Sequence, residues 1–580
     1  MSWYLIRTQH DDTFPLLYAL YLAGGLLDRQ GFLSFLAGAG FDTAAAEKSL
    51  ASLQLSGLLA EDISLIPRFP AIRRKLEELL GAEAADLRES FIAHLVTLWT
   101  TGKYRHPVLL FTFLARNGRT ELALDVLPEI IRRKLDENDA AGARTFCEPR
   151  SLDFAVAPTT EQARQLAAVT AIGRLRAALL EEDLESADGA QAEAQKSMGA
   201  GAQGTLAGEV YIERAKSFLF TGNAVAALDE LKKGMILYQE TREASPKNVS
   251  AERGERACYL WLGAAMLAEG RLGEAVEYLG LSQRLCHEAG DAPGALWTAV
   301  YLADCLFVDG RYTQCLAAIE QGLQMARDTY RRELELFLLF LKARMEFQVG
   351  SYDSCSLCLQ TCLCLATLYG VQPAVPVLRA WLGRTFVHSG DLQTGARLLE
   401  SLSQSREVLL FLAESALFSE SLENASLYVE RGLALPWSVR YPSPEGVPWR
   451  DGFTAVEGRC FRLSRGDAFL RRTLSALRAY LLGMRGFPQE GIGELHQLTR
   501  GEKSLEVDPA VYWFNYLYSR VLPEASSEEV DDKVTVLSKS LKSLQERASR
   551  IDAPAERSSF LWRNRWNRMI MEEARERKLV

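Results

Sequence analysis

The sequence has no excess of positive charge, no long apolar run and no cluster of histidines. Its 66 Lys and Arg stand against 75 Asp and Glu, a net charge of −9. This excludes a general polyanion-binding surface, because neutralising phosphates takes clustered cations. The apolar stretch Phe14 to Leu27 follows Asp11 and Asp12 rather than a basic region, and it falls short of the ~20 residues of a membrane span. It reads as a core helix, with no targeting segment and no membrane partner expected. His10, His94, His106, His287, His388 and His496 are scattered, with no His-Glu-x2-His pair and no Ser or Cys motif that places a nucleophile beside a base. A non-enzyme without metal or cofactor is expected. No low-complexity segment is long enough to suggest sizeable disorder, and a hydrophobic content of 48% is ample for a buried seam.

What is present is a repeat. Gly270, Gly310, Gly350 and Gly390 lie 40 residues apart, and each closes a helix-like run. Seven residues before them stand Gly263, Ala303, Ala343 and Gly383; five after stand Ala275, Cys315, Cys355 and Gly395; nine after stand Leu279, Ile319, Leu359 and Leu399. Fixed periodicity of this length is the mark of a solenoid, in which each unit needs only its neighbours. Weaker copies occur at Ala215, Phe218, Gly222, Ala227 and Leu231; at Ala413, Ala425 and Val429; at Ala479, Leu482, Gly486 and Leu495; and at Phe111, Leu114, Gly118, Ala123 and Leu127.

These units resemble tetratricopeptide repeats. In that family the first small residue lets the two helices of a pair approach, and the second lets helix B meet the next helix A. The pattern departs from the family in lacking the helix-ending proline, in placing Lys342 and Glu346 where apolar residues are expected, and in exceeding the ~34-residue period. Either the helices or their loops are longer. The fold expected is all-α: a right-handed superhelix of helical hairpins with a small N-terminal head. The reading assigns 1–82 to the head, 83–208 to helical hairpins with a Gly-rich loop, 209–500 to the solenoid with an insertion at 436–458, and 501–580 to a helical cap. Ten cysteines partly fill small-residue positions, as Cys315 and Cys355 do. Free buried thiols fit a reducing, cytoplasmic location.

The head reads as an apolar helix (Leu16, Leu17, Leu20, Tyr21), a short helix around Phe32 to Leu36, and a third from Thr43 closed by Gly57. Two short strands at Leu58 to Pro67 and a helix Ile72 to Leu80 follow. This is the order of a winged helix. Leu50 to Leu59 and Phe69-Pro70-Ala71-Ile72-Arg73 resemble the winged-helix segment of STAND signal-transduction ATPases of the maltose-regulon activator type, in which helical repeats follow as a sensor arm. The resemblance implies a bacterial signalling protein. The ATPase core of that family is missing: the pair Gly102-Lys103 has Thr97 where a phosphate-binding loop needs glycine and Tyr104 where it needs Ser or Thr. A winged helix invites a transcription-regulator reading, but Thr43 to Leu59 carries Lys48 alone, beside Glu47. That leaves DNA an unfavoured partner.

Two motifs dissolve on inspection. Gly199-Ala200-Gly201-Ala202-Gln203-Gly204 has the form of a dinucleotide fingerprint but follows a helical rather than a strand segment. Cys355, Cys358 and Cys362 share one helical stripe while Cys364 turns away, which suits packing better than a tetrahedral zinc site. The remaining candidate surface is the inner face of the superhelix. Projecting helix A of successive units onto it gives Trp297, Asp304 and Phe307, then Phe337, Phe340, Arg344 and Phe347, then Arg384 and His388. Aromatic groups interleaved with charge suit a peptide, a protein segment or a small polar effector; the alternative is that the phenylalanines pack between helices. The insertion carries Trp437, Arg440, Tyr441, Trp449 and Arg450, a possible lid over the groove or an anchor on the convex side. Phe560, Leu561, Trp562, Trp566 and Met569 give the final helices an apolar face that reads as a solenoid cap. The function expected is a non-catalytic interaction or effector-sensing scaffold.

Overall fold

The computed structural model describes residues 14–23, 26–55, 70–101, 103–104, 106–136, 139–148, 152–181, 183–198, 204–220, 223–246, 248–371, 374–402, 405–435, 454–456, 459–462, 466–500, 511–523 and 532–580. Among them are helices throughout and one short strand pair. The chain forms two compact units, Met1–Lys134 with Asp139–Gly173, and Leu135–Asn138 with Arg174–Val580.

The first unit holds α1 (Phe14–Ala23), α2 (Arg29–Gly38), α3 (Thr43–Leu55), α4 (Pro70–Leu80), α5 (Ala82–Thr100), α6 (Pro107–Arg116), most of α7 (Thr120–Asp136), α8 (Ala140–Phe146) and the start of α9 (Thr160–Glu181). The apolar run at its start becomes a central helix: Leu16, Leu17, Tyr18, Ala19, Leu20, Leu22 and Ala23 are all buried, as a helix that is apolar all round must be. It packs on α4 and α5. There the Tyr18 hydroxyl donates to Glu77 Oε1 at 3.1 Å and accepts from Arg88 Nη2 at 3.0 Å. No helix of the described residues is long and apolar enough to cross a membrane. The helices match the order expected of the head, but the two strands at 58–67 that would make it winged lie outside the described residues. On α3, both Lys48 and Glu47 are exposed.

The second unit continues through α10 (Leu184–Met198), α11 (Thr205–Phe220), α12 (Ala224–Ala244), α13 (Val249–Ala268), α14 (Leu272–Glu288), α15 (Ala292–Asp309), α16 (Tyr312–Asp328), α17 (Arg332–Val349), α18 (Tyr352–Tyr369), α19 (Ala374–Ser389), α20 (Leu392–Glu400), α21 (Arg406–Phe418) and α22 (Leu422–Ala434). After the strands β1 (Thr454–Val456) and β2 (Arg459–Arg462) come α23 (Gly466–Met484), α24 (Pro488–Arg500), α25 (Val511–Val521), α26 (Lys533–Ser549), α27 (Pro554–Trp562) and α28 (Arg565–Glu576). From α11 to α26 each helix packs on the next, and the odd-numbered helices also touch one another along most of the stack. The odd helices therefore form one layer and the even helices the other, the arrangement of a tetratricopeptide-like superhelix.

The repeat grammar explains why. Ala303, Ala343, Ala275, Cys315, Cys355, Leu279, Ile319, Leu359 and Leu399 are all fully buried. A Cβ added to Gly263 would come within 2.5 Å of Leu279 Cγ, and one on Gly395 within 2.7 Å of the Gly383 carbonyl. Helices this close admit no added carbon. At Gly310 and Gly350 the backbone turns left-handed at φ +80, and the amides of Gly310 and Arg311 return to the carbonyls of Phe307 and Leu306. That closure satisfies the end of helix A and starts helix B almost at once. The extra length of the period sits in the helices: α15, α17 and α18 have 18 residues each, roughly 27 Å at the usual rise. Cysteine serves as a small residue with a donor, the Cys315 thiol reaching the Ala303 carbonyl at 3.2 Å and the Cys358 thiol the Leu339 carbonyl at 3.3 Å.

Among the described residues one short strand pair accompanies the otherwise helical fold. At the end of the expected insertion, Thr454–Val456 and Arg459–Arg462 pair antiparallel, Val456 opposite Arg459, and β2 lies against α17. Thr, Val, Cys and Phe in these runs suit extended backbone. The five residues proposed as a lid, Trp437, Arg440, Tyr441, Trp449 and Arg450, lie outside the described residues.

In the weaker unit between α21 and α22, Glu420 takes the glycine position and holds φ at +59, a conformation that costs a side-chain-bearing residue about 1–2 kcal/mol. Glu420→Gly is therefore expected to stabilise the second unit by about 0.5–1 kcal/mol after the entropy of glycine is counted. Urea unfolding followed by circular dichroism checks it; an unchanged or lower midpoint would contradict this account of the turn.

Candidate functional site

Helices α27 and α28 do not merely close the far end of the stack. They lie against the odd-numbered layer, with α27 packed on α17. The contacts climb unit by unit. Arg547 on α26 donates to the Phe307 carbonyl and the Tyr312 hydroxyl, and Arg550 reaches Asp309 at 2.7 Å. The Tyr352 hydroxyl donates to the Arg563 carbonyl, and the Trp566 indole N–H donates to Glu414 Oε1 at 3.2 Å. The repeat glycines make room: the Cβ missing from Gly350 would sit 2.7 Å from Arg563 Cβ, and that of Gly310 3.4 Å from Arg547 Cγ.

Between the odd-numbered layer and these helices lies a cavity of about 80 Å³. Phe307, Phe347, Trp381, Arg384, His388, Phe411 and Trp513 of the odd-numbered helices line it, together with Arg547, Asn564 and Trp566 from the C-terminal segment. The rings meet mostly edge to face, Phe347 with Trp381 at 5.6 Å and Trp381 with Phe411 at 5.6 Å, while Trp513 stacks on Trp566 at 5.1 Å. Such geometry favours the ring quadrupoles.

Its charges are largely matched within the wall. Glu414 is buried and takes both Arg384 Nε and Nη2 at 2.9 Å. Burial alone would raise its carboxyl, but the Arg384 charge and the surrounding hydrogen bonds outweigh that and hold it at about 2. The Arg384 guanidinium is itself sandwiched by rings, 4.5 Å from the Phe411 centroid and 4.9 Å from that of Phe347. Burial pushes the His388 imidazole below its ordinary value despite Glu414 at 3.5 Å, so the ring is neutral near neutral pH. Glu407 accepts from the Trp381 indole at 3.1 Å.

Of the nine inner-face residues expected from sequence, Phe307, Phe347, Arg384 and His388 reach this cavity. Phe337 and Phe340 are fully buried, which is the packing alternative. Arg344 is buried too, its guanidinium 4.8 Å from the Phe307 ring and 5.5 Å from Trp381. Asp304 is buried, and Trp297 is half-buried against Tyr301. Sequence reasoning missed Trp381, Phe411, Glu414, Trp513 and Arg547. Glu414 stands one residue after the small Ala413 of its unit, so projecting helix A one repeat further would have found it.

A family model named TP_0123_C, described as a C-terminal domain, matches residues 460–578. No curated protein matches the sequence. Among solved structures, the chain is similar to a STAND protein with a tetratricopeptide repeat sensor, PH0952 from Pyrococcus horikoshii. The TM-score is 0.51 at 13% identity, covering 73% of this chain and 63% of that one. This chain thus spans less than two thirds of that protein's length. A Rap protein complexed with Competence and Sporulation Factor gives 0.42 at 11% identity over 74% of this chain and 99% of its own. Yeast Tom70 gives 0.38 at 11% identity over 87% and 96%. At these identities the likeness to the STAND sensor protein is one of fold, and it supports the tetratricopeptide-like superhelix.

Arg384→Met leaves Glu414 buried without its cation, an expected loss of about 3–5 kcal/mol. Adding Glu414→Gln should recover most of it, measured by urea unfolding. Because the Glu414 carboxyl is depressed in the fold, its contribution is complete above the ordinary carboxylate range and is lost as pH falls towards 2. The depressed His388 acts earlier, since the unfolded chain takes up its proton as pH drops through about 6.5. A double variant as unstable as Arg384→Met would refute the pairing argument.

Proposed function

We propose that the chain is a non-catalytic sensing scaffold in signal transduction, using the inner face of its helical stack to hold a protein segment or effector. The observation that carries this reading is the aromatic-lined cavity between the odd-numbered helices and the C-terminal helices. Arg384 is engaged with Glu414 and Glu407 accepts from the Trp381 indole, and much of the remaining lining is aromatic, which suits binding better than a nucleophile and base. The C-terminal helices touch several successive units. A ligand that alters their seat would therefore be felt along the stack, as coupling through packed elements requires. The fold shared with a tetratricopeptide sensor protein is in keeping with this role, as is the winged-helix resemblance of the head, in which α3 offers protein contact more readily than DNA contact.

The test uses the purified full chain as bait in a native lysate at physiological salt, with cross-linking and mass spectrometry of what is retained. A partner cross-linked to the odd-numbered helices or to α26–α28, and released by Trp566→Ala, is expected. A partner held equally by that variant, or turnover of ATP by the chain alone, would contradict the reading.

A further inference from the structure

A buried histidine stands where the last helix meets the stack. The His388 side chain is fully shielded from solvent and lines the cavity together with Trp566. Around it are Phe347 of α17 at 4.8 Å, Tyr352 of α18 at 6.1 Å and Phe418 of α21 at 5.2 Å between ring centroids. Its Nε2 lies 3.5 Å from Glu414 Oε2, at the outer limit of a hydrogen bond, and its Nδ1 has no hydrogen-bond partner among the described residues. Helix α28 closes the site. Trp566 packs on Phe418 at 5.3 Å and donates to Glu414, and the Arg565 guanidinium lies 4.9 Å from the Phe418 ring centre.

The imidazole fits there only while neutral. A proton on it would add a third cation about a single carboxylate, since Glu414 already accepts both arms of Arg384 from the helix of His388 itself, and Arg565 acts on the ring from α28. The other ionisable neighbours offer no relief. Burial pushes the Tyr352 hydroxyl up, so it stays neutral, and Glu407 lies about two turns away along α21, where it accepts from the Trp381 indole. Desolvation is the main force that depresses the His388 imidazole, with Arg384 and Arg565 adding to it against the pull of Glu414. Water relieves such a penalty, and water reaches the ring once α28 lifts.

We propose that His388 is a proton-operated latch for α28: the neutral ring lets Trp566 and Arg565 seat over Phe418 and Glu414, and the protonated ring unseats them. The seated ring takes up a proton less readily than a solvated one, so protons favour the unseated form. Seating is complete above the ordinary imidazole range of 6.5 and weakens as pH falls through it. A fully solvated imidazole sets the ceiling: from pH 7.5 to 5.5 the unseated population rises by at most about tenfold. The proton thereby regulates the inner-face surface of the reading above, a consequence that rests on that reading, because the cavity is complete only with α28 in place. The latch itself is measured without a partner, so it and the lysate experiment can fail independently.

Amide hydrogen exchange of the full chain at pH 7.5 and 5.5, corrected for the intrinsic rate at each pH, tests it, with α13 and α14 of the same molecule as reference. Residues 565–576 are expected to exchange about three- to tenfold faster at pH 5.5, with no comparable rise in the reference helices. His388→Gln, which does not titrate, should show no such rise whatever its level at pH 7.5. A second measurement needs no substitution at His388: in NMR titration of the chain carrying 13C-labelled histidine, its signal, assigned by contacts to the Phe347 and Phe418 rings, should stay neutral to below 6.5 in the wild type and move back towards 6.5 in Trp566→Ala. Exchange of α28 that ignores pH, a rise shared equally by α13 and α14, a rise that persists in His388→Gln, or a wild-type signal titrating at or above 6.5 would overturn the latch.

Discussion

A missing carbon does two jobs in this protein. At the end of each inner helix the chain must turn left-handed, which a residue without Cβ does at little cost. Gly310 and Gly350 both hold φ at +80 for that reason. The same bare backbone lets the C-terminal helices approach: Arg547 lies over Gly310, Arg563 and Ser559 over Gly350, and Arg565 near Gly390. The 40-residue spacing that builds the stack thus also builds a ladder of landing points. One steric requirement, repeated, sets both the repeat and the seat of the final helices.

Polar chemistry then fixes the helices in register. Glu414 is expensive where it lies, and only the fork of Arg384 together with the Trp566 indole makes it tolerable. Because one of these partners comes from the stack and the other from the last helix, the carboxylate ties the two together. Arg547 and Arg550 do the same at the other end of the ladder, on the Phe307 carbonyl and Asp309. The aromatic rings between these two anchors are large and stiff, so they fill the gap incompletely and leave the cavity.

The repeat was legible in the sequence because its demands are local and steric. A small residue seven before and five after a glycine, with a large one nine after, needs no knowledge of distant chain. The small and large residues so named for the second unit and placed among the described residues, from Ala215 to Leu495, are buried or half-buried, while the closing Gly390 and Gly486 are exposed. The inner face was half legible. Projecting helix A found Phe307, Phe347, Arg384 and His388, yet also gave Phe337 and Phe340, which pack between helices. Periodicity names the side of a helix but not what covers it. The covering itself was illegible, since it depends on pairs separated by 152 residues between Glu414 and Trp566 and by 240 between Phe307 and Arg547. An apolar face on the last helices was visible, but a cap and a groove-filling hairpin require the same pattern.

The measurement that bears most directly on the glycine ladder is amide hydrogen exchange over α27 and α28 in Gly350→Ala and in Gly370→Ala. Both sites are left-handed, at φ +80 and +72, so both variants carry a similar backbone strain of about 1 kcal/mol. Only at Gly350 would the new carbon meet Arg563; at Gly370 nothing lies within 4 Å. Faster exchange of residues 554–576 in Gly350→Ala, with Gly370→Ala matching the wild type there, is the predicted result. The same exchange in both variants would contradict the claim that the repeat glycines seat the C-terminal helices.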